Sequence, residues 1–203
     1  MRGTRLAWKP GRQRVEYAPV HMTSLTLADV KLLSPKKHGD RRGLFSEVYN
    51  KRALAAAGLR IEFVQDNHSF STERATVRGL HFQPPPVSQH KLVRVVRGSV
   101  FDVAVDLRRH STTYGSHTSV VLSAEAWNQI LVPVGFAHGF MTLEPDTEVV
   151  YKVSNYYSPE HDRGLLWNDP GLGIRWPLPE KDAVLSGKDQ RHPRLAEIES
   201  PFA

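Results

Sequence analysis

Ten histidines in a chain of 203 residues with no cysteine point to imidazole chemistry, either proton transfer or a metal site. Without cysteine there is no thiolate nucleophile, disulfide framework or thiolate zinc site. Strand-borne metal sites often take two ligands from His-x-His, where alternation turns both rings inward, and no such pair occurs here. Pro133, Gly135 and His138 stand at Pro-x-Gly-x-x-His spacing, half of a metal-binding pattern. The other half is missing, with only His81 and His90 near its place, so no metal and no cofactor are expected. The stretch from Thr76 to Gln83 is more informative. As a strand it puts Arg78 and Leu80 on one face and Gly79, His81 and Gln83 on the other, unless a bulge at Gly79 rotates the pattern. A lone strand histidine is either a satisfied structural group or a base. Its company favours the base: Gln65 to His68, Gln89 to Lys91, and Tyr151 with Lys152 are polar groups set in otherwise apolar strands. Interior polar groups are costly unless paired, so they tend to be networked or functional.

The elements that must position these groups read as short strands divided by Gly, Pro and Asn. In the clearest one, Phe101, Val103, Val105 and Leu107 share one face and Asp102, Ala104 and Asp106 the other, which is the period-2 pattern of a sheet. Before it, 91–96 is β-branched and apolar, and Gly98 between the two segments predicts a hairpin. Further strands are predicted over 44–49, 61–69, 76–83, 117–122, 129–132, 139–143 and 148–153. One helix is predicted over 51–57, capped by Asn50 and stopped by Gly58. From Ser158 onward, Pro and Gly exclude central strands. Many strands at this spacing predict an all-β antiparallel sandwich or barrel, with 23–203 as one domain carrying a wrapping C-terminal segment.

The composition, 40% hydrophobic and 24% charged, is that of a globular domain and excludes disordered and fibrous classes. The net charge of +6 would suit a nucleic-acid binder were it spread over the body. It is not: residues 1–22 carry a net +4 and the remaining 181 residues only +2. Residues 1–22 therefore read as a flexible basic leader, and no nucleic-acid partner is expected. No apolar run approaches the roughly 18 residues of a membrane span, and no hydrophobic signal core follows the basic start, so the expectation is a cytoplasmic protein without a membrane partner.

Six ordered motifs then carry a resemblance. They are Gly39-Asp40-x-Arg42-Gly43, Phe63 to Ser69 (FVQDNHS), Arg78 to Gln83 (RGLHFQ), Gly98-x-Val100 to Asp106, Gly135 to Phe140 (GFAHGF) and Trp167 to Pro170 (WNDP). Together they resemble the dTDP-4-dehydrorhamnose 3,5-epimerase family over roughly residues 25–195. The resemblance implies a cupin-type β jelly roll, metal-free and homodimeric. It also implies a substrate, dTDP-4-keto-6-deoxy-D-glucose, whose C3 and C5 are inverted on the way to L-rhamnose.

That chemistry needs a base on one face of the sugar, an acid on the other and a partner for the enolate oxygen, because the 4-keto group acidifies the C–H bonds at C3 and C5. By resemblance His81 is the base and Asp189 its orienting carboxylate, a pairing expected to raise imidazole basicity and fix the tautomer. Tyr151 matches the acid and Lys91 the enolate stabiliser, with Asp102 a candidate partner for Lys91. Arg42, Phe45, Glu47, Gln65, Asn67, Arg78, His138 and Lys188 match substrate-contacting positions, and Tyr157 matches the aromatic that stacks on thymine. Arginine forks suit a diphosphate. His68, His90, the other histidines and Asp169 are read as structural. Leu44 and Ser46 depart from the family's aromatics. Relatives that invert one centre keep the same acid and base, so a single-centre epimerase of another deoxysugar is the alternative, and a non-catalytic sugar-nucleotide module and a metal-dependent oxygenase are the more distant ones.

Overall fold

The computed structural model describes residues 20–203; the leader expected over 1–22 lies outside these residues except for its last three positions. Thirteen strands run in the order β1 His21–Ser24, β2 Lys31–Ser34, β3 His38–Asp40, β4 Gly43–Phe45, β5 Gln65–Ser71, β6 Val77–Phe82, β7 Lys91–Arg97, β8 Ser99–Asp106, β9 His117–Ser123, β10 Gln129–Val132, β11 Phe136–Thr142, β12 Thr147–Val153 and β13 Arg163–Gly164. They form a six-stranded sheet ordered β1-β2-β10-β7-β12-β5, a five-stranded sheet ordered β13-β6-β11-β8-β9, and the separate ribbon β3-β4. Every pairing between these strands is antiparallel. The two larger sheets make the jelly roll. No helix among the described residues is long and apolar enough to cross a membrane.

Three apolar layers hold the sandwich. Between the sheets pack Val93, Val95, Val100, Ala104, Ile130, Phe136, Phe140 and Val149. The alternation of β8 sends its other face, Val103 and Val105, outward. That face is not solvated: Leu80 and Phe82 of β6 extend it, and Leu165, Leu172 and Phe202 pack on it, so the C-terminal segment wraps the five-stranded sheet. On the outside of the six-stranded sheet Leu54 of the helix α1, Lys51–Ala56, packs on Leu33, Leu92 and Leu131. The helix starts where expected: the Asn50 side chain accepts from the amides of Arg52 at 2.9 Å and Ala53 at 3.1 Å.

The structure departs from expectation in four places. β7 and β8 are not a hairpin. They belong to different sheets, and Gly98, at φ +75°, turns the chain from one wall of the sandwich to the other. A side chain there would meet Thr147 Oγ1 at 2.4 Å, so the corner admits only glycine. The strand expected over 44–49 ends at Phe45. Beyond it the Val48 carbonyl accepts from Gln129 Nε2 at 2.8 Å and Tyr49 packs edge-on against Phe63, so these residues cover the sheet instead of joining it. β5 begins at Gln65, four residues later than expected, and β11 begins at Phe136, three earlier. Finally, β1, β2, β3 and the two-residue β13 were not foreseen, and β1 pairs with β2 in register from His21 to Ser24, so the expected boundary between residues 22 and 23 runs through a strand.

β6 carries the bulge that the sequence left open. His81 pairs with His138 and Arg78 with Phe140, so two residues of β6, Gly79 and Leu80, oppose Gly139 alone. The backbones there touch: a Cβ on Gly79 would stand 2.5 Å from Gly139 Cα, and one on Gly139 2.8 Å from the Arg78 carbonyl. Simple alternation would have set Arg78 beside Leu80. The extra residue instead brings Arg78 and His81 to one cavity while Leu80 is wholly buried in the outer layer.

Candidate active site

A cavity opens between the sheets in two lobes of about 280 and 270 Å³ that share His81, Lys91 and Tyr151. Gln65, Asn67, Tyr157 and Asp162 line one lobe. Arg78, His138, Lys188 and Asp189 line the other. His81 comes from β6 in the five-stranded sheet, whereas Tyr151 on β12 and Lys91 on β7 come from the six-stranded sheet. A sugar ring between the walls would therefore meet the imidazole on one side and the phenol on the other.

His81 Nε2 lies 2.6 Å from Asp189 Oδ1. The carboxylate can only accept, so Nε2 carries the proton and Nδ1 keeps the lone pair a base needs. Burial works to raise the Asp189 pKa, but the neighbouring His192 and His81 rings outweigh it and hold the carboxyl well below the usual range. The net effect on His81 differs from the expectation of raised basicity. Burial, joined by the Lys91 charge, outweighs the upward pull of Asp189, and the net shift is downward. The imidazole is thus neutral at neutral pH, and the Asp189 contact fixes its tautomer.

Burial also brings the Lys91 ammonium down to about 8, against the upward pull of Asp162 and Asp102. Its Nζ donates to the His81 carbonyl at 3.2 Å, which ties the cation to the strand that carries the base. The expected Lys91–Asp102 pair is corrected: Asp102, wholly buried, takes His138 Nε2 on both oxygens at 2.9 and 3.0 Å, because β8 and β11 pair directly and leave its carboxylate facing β11. Burial raises the Tyr151 phenol above its ordinary value, so it holds a proton to give.

The polar neighbours are anchored in turn. Arg78 donates through Nε to Ser71 Oγ at 3.1 Å and through Nη2 to the Phe70 carbonyl at 2.9 Å. Gln65 Nε2 donates to Asn67 Oδ1 at 2.8 Å, and the Tyr157 amide donates to Gln65 Oε1 at 3.1 Å, which sets the exposed tyrosine ring at the cavity mouth. Lys188 pairs with Asp162, which also accepts from Tyr157 Oη at 2.9 Å.

Three expected residues do not join this cavity in the single chain. Arg42 pairs with Asp40 at 2.6 Å on the exposed ribbon, and Phe45 is 70% exposed at its end. Glu47 accepts from Asn50 Nδ2 at 2.9 Å and lines a separate hollow beside α1. Of the residues read as structural, three are engaged away from the cavity: His68 with Glu148, His90 with the Val134 amide, and Asp169 with the amides of Gly171 and Leu195. The sequence reading passed over Asp162 and took His192, which stands beside Asp189, as structural. Both lie in the irregular C-terminal region, where no periodicity tells which side chains return to the sheets.

Fold and site together define a jelly-roll isomerase, with a histidine–aspartate pair on one wall of its cavity and a phenol and an ammonium on the other. The family model described as dTDP-4-dehydrorhamnose 3,5-epimerase matches residues 24–197, and the chain belongs to that family. It is 51% identical over 187 residues to the dTDP-4-dehydrorhamnose 3,5-epimerase of Sinorhizobium fredii, covering 92% of this chain and 95% of the relative. The crystal structure of the Bacillus anthracis epimerase with TDP and PPi bound is 49% identical, covers 87% of this chain and 99% of its own, and superposes with a TM-score of 0.84. A Legionella pneumophila epimerase in complex with dTDP-4-keto-L-rhamnose is 41% identical over 89% of this chain and 95% of its own, with a TM-score of 0.83.

Proposed function

We propose that this protein inverts C3 and C5 of dTDP-4-keto-6-deoxy-D-glucose to give dTDP-4-keto-L-rhamnose, the precursor of L-rhamnose. The observation that carries this reading is the His81–Asp189 dyad on one wall with Tyr151 and Lys91 on the other. His81 Nδ1 takes the proton from the carbon beside the 4-keto group. The electron pair moves onto O4, where the Lys91 ammonium stabilises the enolate, and Tyr151 delivers a proton from the opposite face. The imidazolium and tyrosinate then return to their starting states by exchange with solvent, and the second centre follows by the same steps. Arg78 and Lys188 bind the diphosphate, Gln65, Asn67 and His138 hold the sugar nucleotide, and Tyr157 stacks on thymine.

The protein acts as a homodimer in this reading. Arg42 and Phe45 match substrate-contacting positions yet stand on a ribbon that projects from its own barrel with Leu44 and Phe45 exposed, which suits a surface completed by a second copy. A cytoplasmic location goes with a nucleotide diphosphate substrate, whose charge confines it to the compartment that makes it.

The test is incubation with dTDP-4-keto-6-deoxy-D-glucose in heavy water, with NMR of the ring carbons. Deuterium at both C3 and C5 with formation of the L-rhamno product is expected. Label at one carbon would select the single-centre epimerase, and no label would remove the reading. Light scattering should give twice the chain mass, and a monomer would sink the dimer.

A further inference from the structure

The catalytic dyad has a third member that the mechanism does not use. His192 stands beside this pair, its Nε2 3.5 Å from the same Asp189 Oδ1 that His81 approaches at 2.6 Å. The ring is pinned: it packs edge-on to His81 with centroids 5.5 Å apart, and its atoms stand where a Cβ on Gly164 would have to go. Its side chain is only 9% exposed, and Nε2 is buried with no hydrogen bond of ordinary length. A buried ring nitrogen without a partner is uncommon and calls for an explanation.

The three ligand atoms, two imidazole nitrogens and one carboxylate oxygen, lie within 4.8 Å of one another. Tetrahedral zinc with ligands at about 2.0–2.2 Å places neighbouring ligands about 3.4 Å apart. The Asp189–His192 separation of 3.5 Å already has that value. The His81–Asp189 contact of 2.6 Å has to open by less than an ångström, which follows once the bridging proton is gone. The fourth position would face the cavity, since His81 and Asp189 both line it.

We propose that His81, Asp189 and His192 form an inhibitory binding site for a borderline divalent transition metal, of which Zn²⁺ is the fitting case. The ion is no cofactor: it disables the base. A neutral imidazole that gives its Nε2 lone pair to a metal must carry its proton on Nδ1, so the proton that bridged to Asp189 moves to the nitrogen that should attack the substrate. Nothing is oxidised or reduced, and one tautomer is exchanged for another. Mg²⁺ prefers an all-oxygen octahedron and does not suit this donor set. Lys91, held against the His81 carbonyl, opposes a cation here and limits the affinity.

The loss of catalysis rests on His81 being the base, whereas metal binding does not, so the two are measured separately. Titration calorimetry of substrate-free protein with ZnCl₂ should give one site per chain that disappears in His192→Ala. Co²⁺ in the same site should show the visible absorption of a tetrahedral ion. In the epimerase assay, Zn²⁺ in slight excess over protein should lower the native rate about tenfold or more and EDTA should restore it, whereas the rate of His192→Ala, compared with and without the metal, should not respond. His192→Gln, which keeps much of the volume of the ring, guards against a folding defect. Absence of stoichiometric Zn²⁺ binding, or binding undiminished in both variants, overturns the site. Binding that depends on His192 but leaves native turnover unchanged overturns the inhibitory role. A protein without epimerase activity that still binds Zn²⁺ through His192 upholds the site and refutes the proposed reaction instead.

Discussion

Replacing Asp189 by asparagine removes one charge from the dyad and leaves its shape. The carboxylate stands 2.6 Å from the imidazole, with the centres of charge in the resulting ion pair about 4 Å apart, which corresponds to about 4 kcal/mol at an effective dielectric of 20. The His81 side chain is 31% exposed, so solvent screens part of this and about 2–4 kcal/mol is the working range. Because the imidazolium exists only after proton abstraction, the loss falls on the transition state, and kcat should drop about 30- to 1000-fold with KM little changed. If the amide turns its NH₂ toward Nε2, the proton is forced onto Nδ1 and the fall exceeds that range. The pH profile adds a second readout. Asp189 pulls the His81 pKa upward against burial, so Asp189→Asn should lower it, and the acid limb of kcat/KM should move to lower pH. The assay is deuterium uptake from heavy water, followed by NMR across pH. A variant within threefold of native turnover whose acid limb stays in place would refute the reasoning that makes this pair a catalytic dyad.

Lys91 is already near its titration point at about 8, so activity should decline above pH 8 as the ammonium deprotonates, and Lys91→Met should lose about 10²–10³ in kcat together with that alkaline limb. Gly79→Ala must push a Cβ against the Gly139 backbone at φ +135°, and about 2–4 kcal/mol of destabilisation should lower Tm by about 5–15 °C, whereas Gly187→Ala, whose Cβ meets nothing nearer than 3.4 Å, should leave Tm almost unchanged. Asn50→Ala deletes the two cap hydrogen bonds of α1 and should cost about 1 kcal/mol, read as a fall of about 2–4 °C in Tm by calorimetry.

The legible parts of the fold were those set by period. β8 showed its two faces because Val103 and Val105 alternate with Asp102 and Ala104, and α1 announced its start through Asn50. What the pattern could not convey was which sheet a strand enters. Gly98 marks a turn, but a tight hairpin and a corner between sheets both use glycine at positive φ, and the choice depends on β7 finding β10 and β12 as partners. The dyad was legible only through resemblance. His81 and Asp189 are 108 positions apart, and the C-terminal segment that returns Asp189 to the cavity has no repeat from which to infer its path. His192, three residues on, reads as structural for the same reason.

The bulge at Gly79 joins fold to chemistry. A regular β6 would alternate, and of residues three apart, such as Arg78 and His81, one would face the cavity and the other the apolar layer under the C-terminal segment. The extra residue reverses the phase once. It buries Leu80 and Phe82 in that layer and leaves both Arg78 and His81 facing the cavity. The two glycines that face each other there, Gly79 and Gly139, are thus demanded by sterics at the point where the β6–β11 register shifts. A guanidinium suited to the diphosphate and an imidazole suited to the sugar carbon can stand on one short strand only because the backbone gives up its regular ladder between them. The same strand is tied to the opposite sheet where Lys91 Nζ donates to the His81 carbonyl, which sets the proposed base beside the cation proposed to stabilise the enolate.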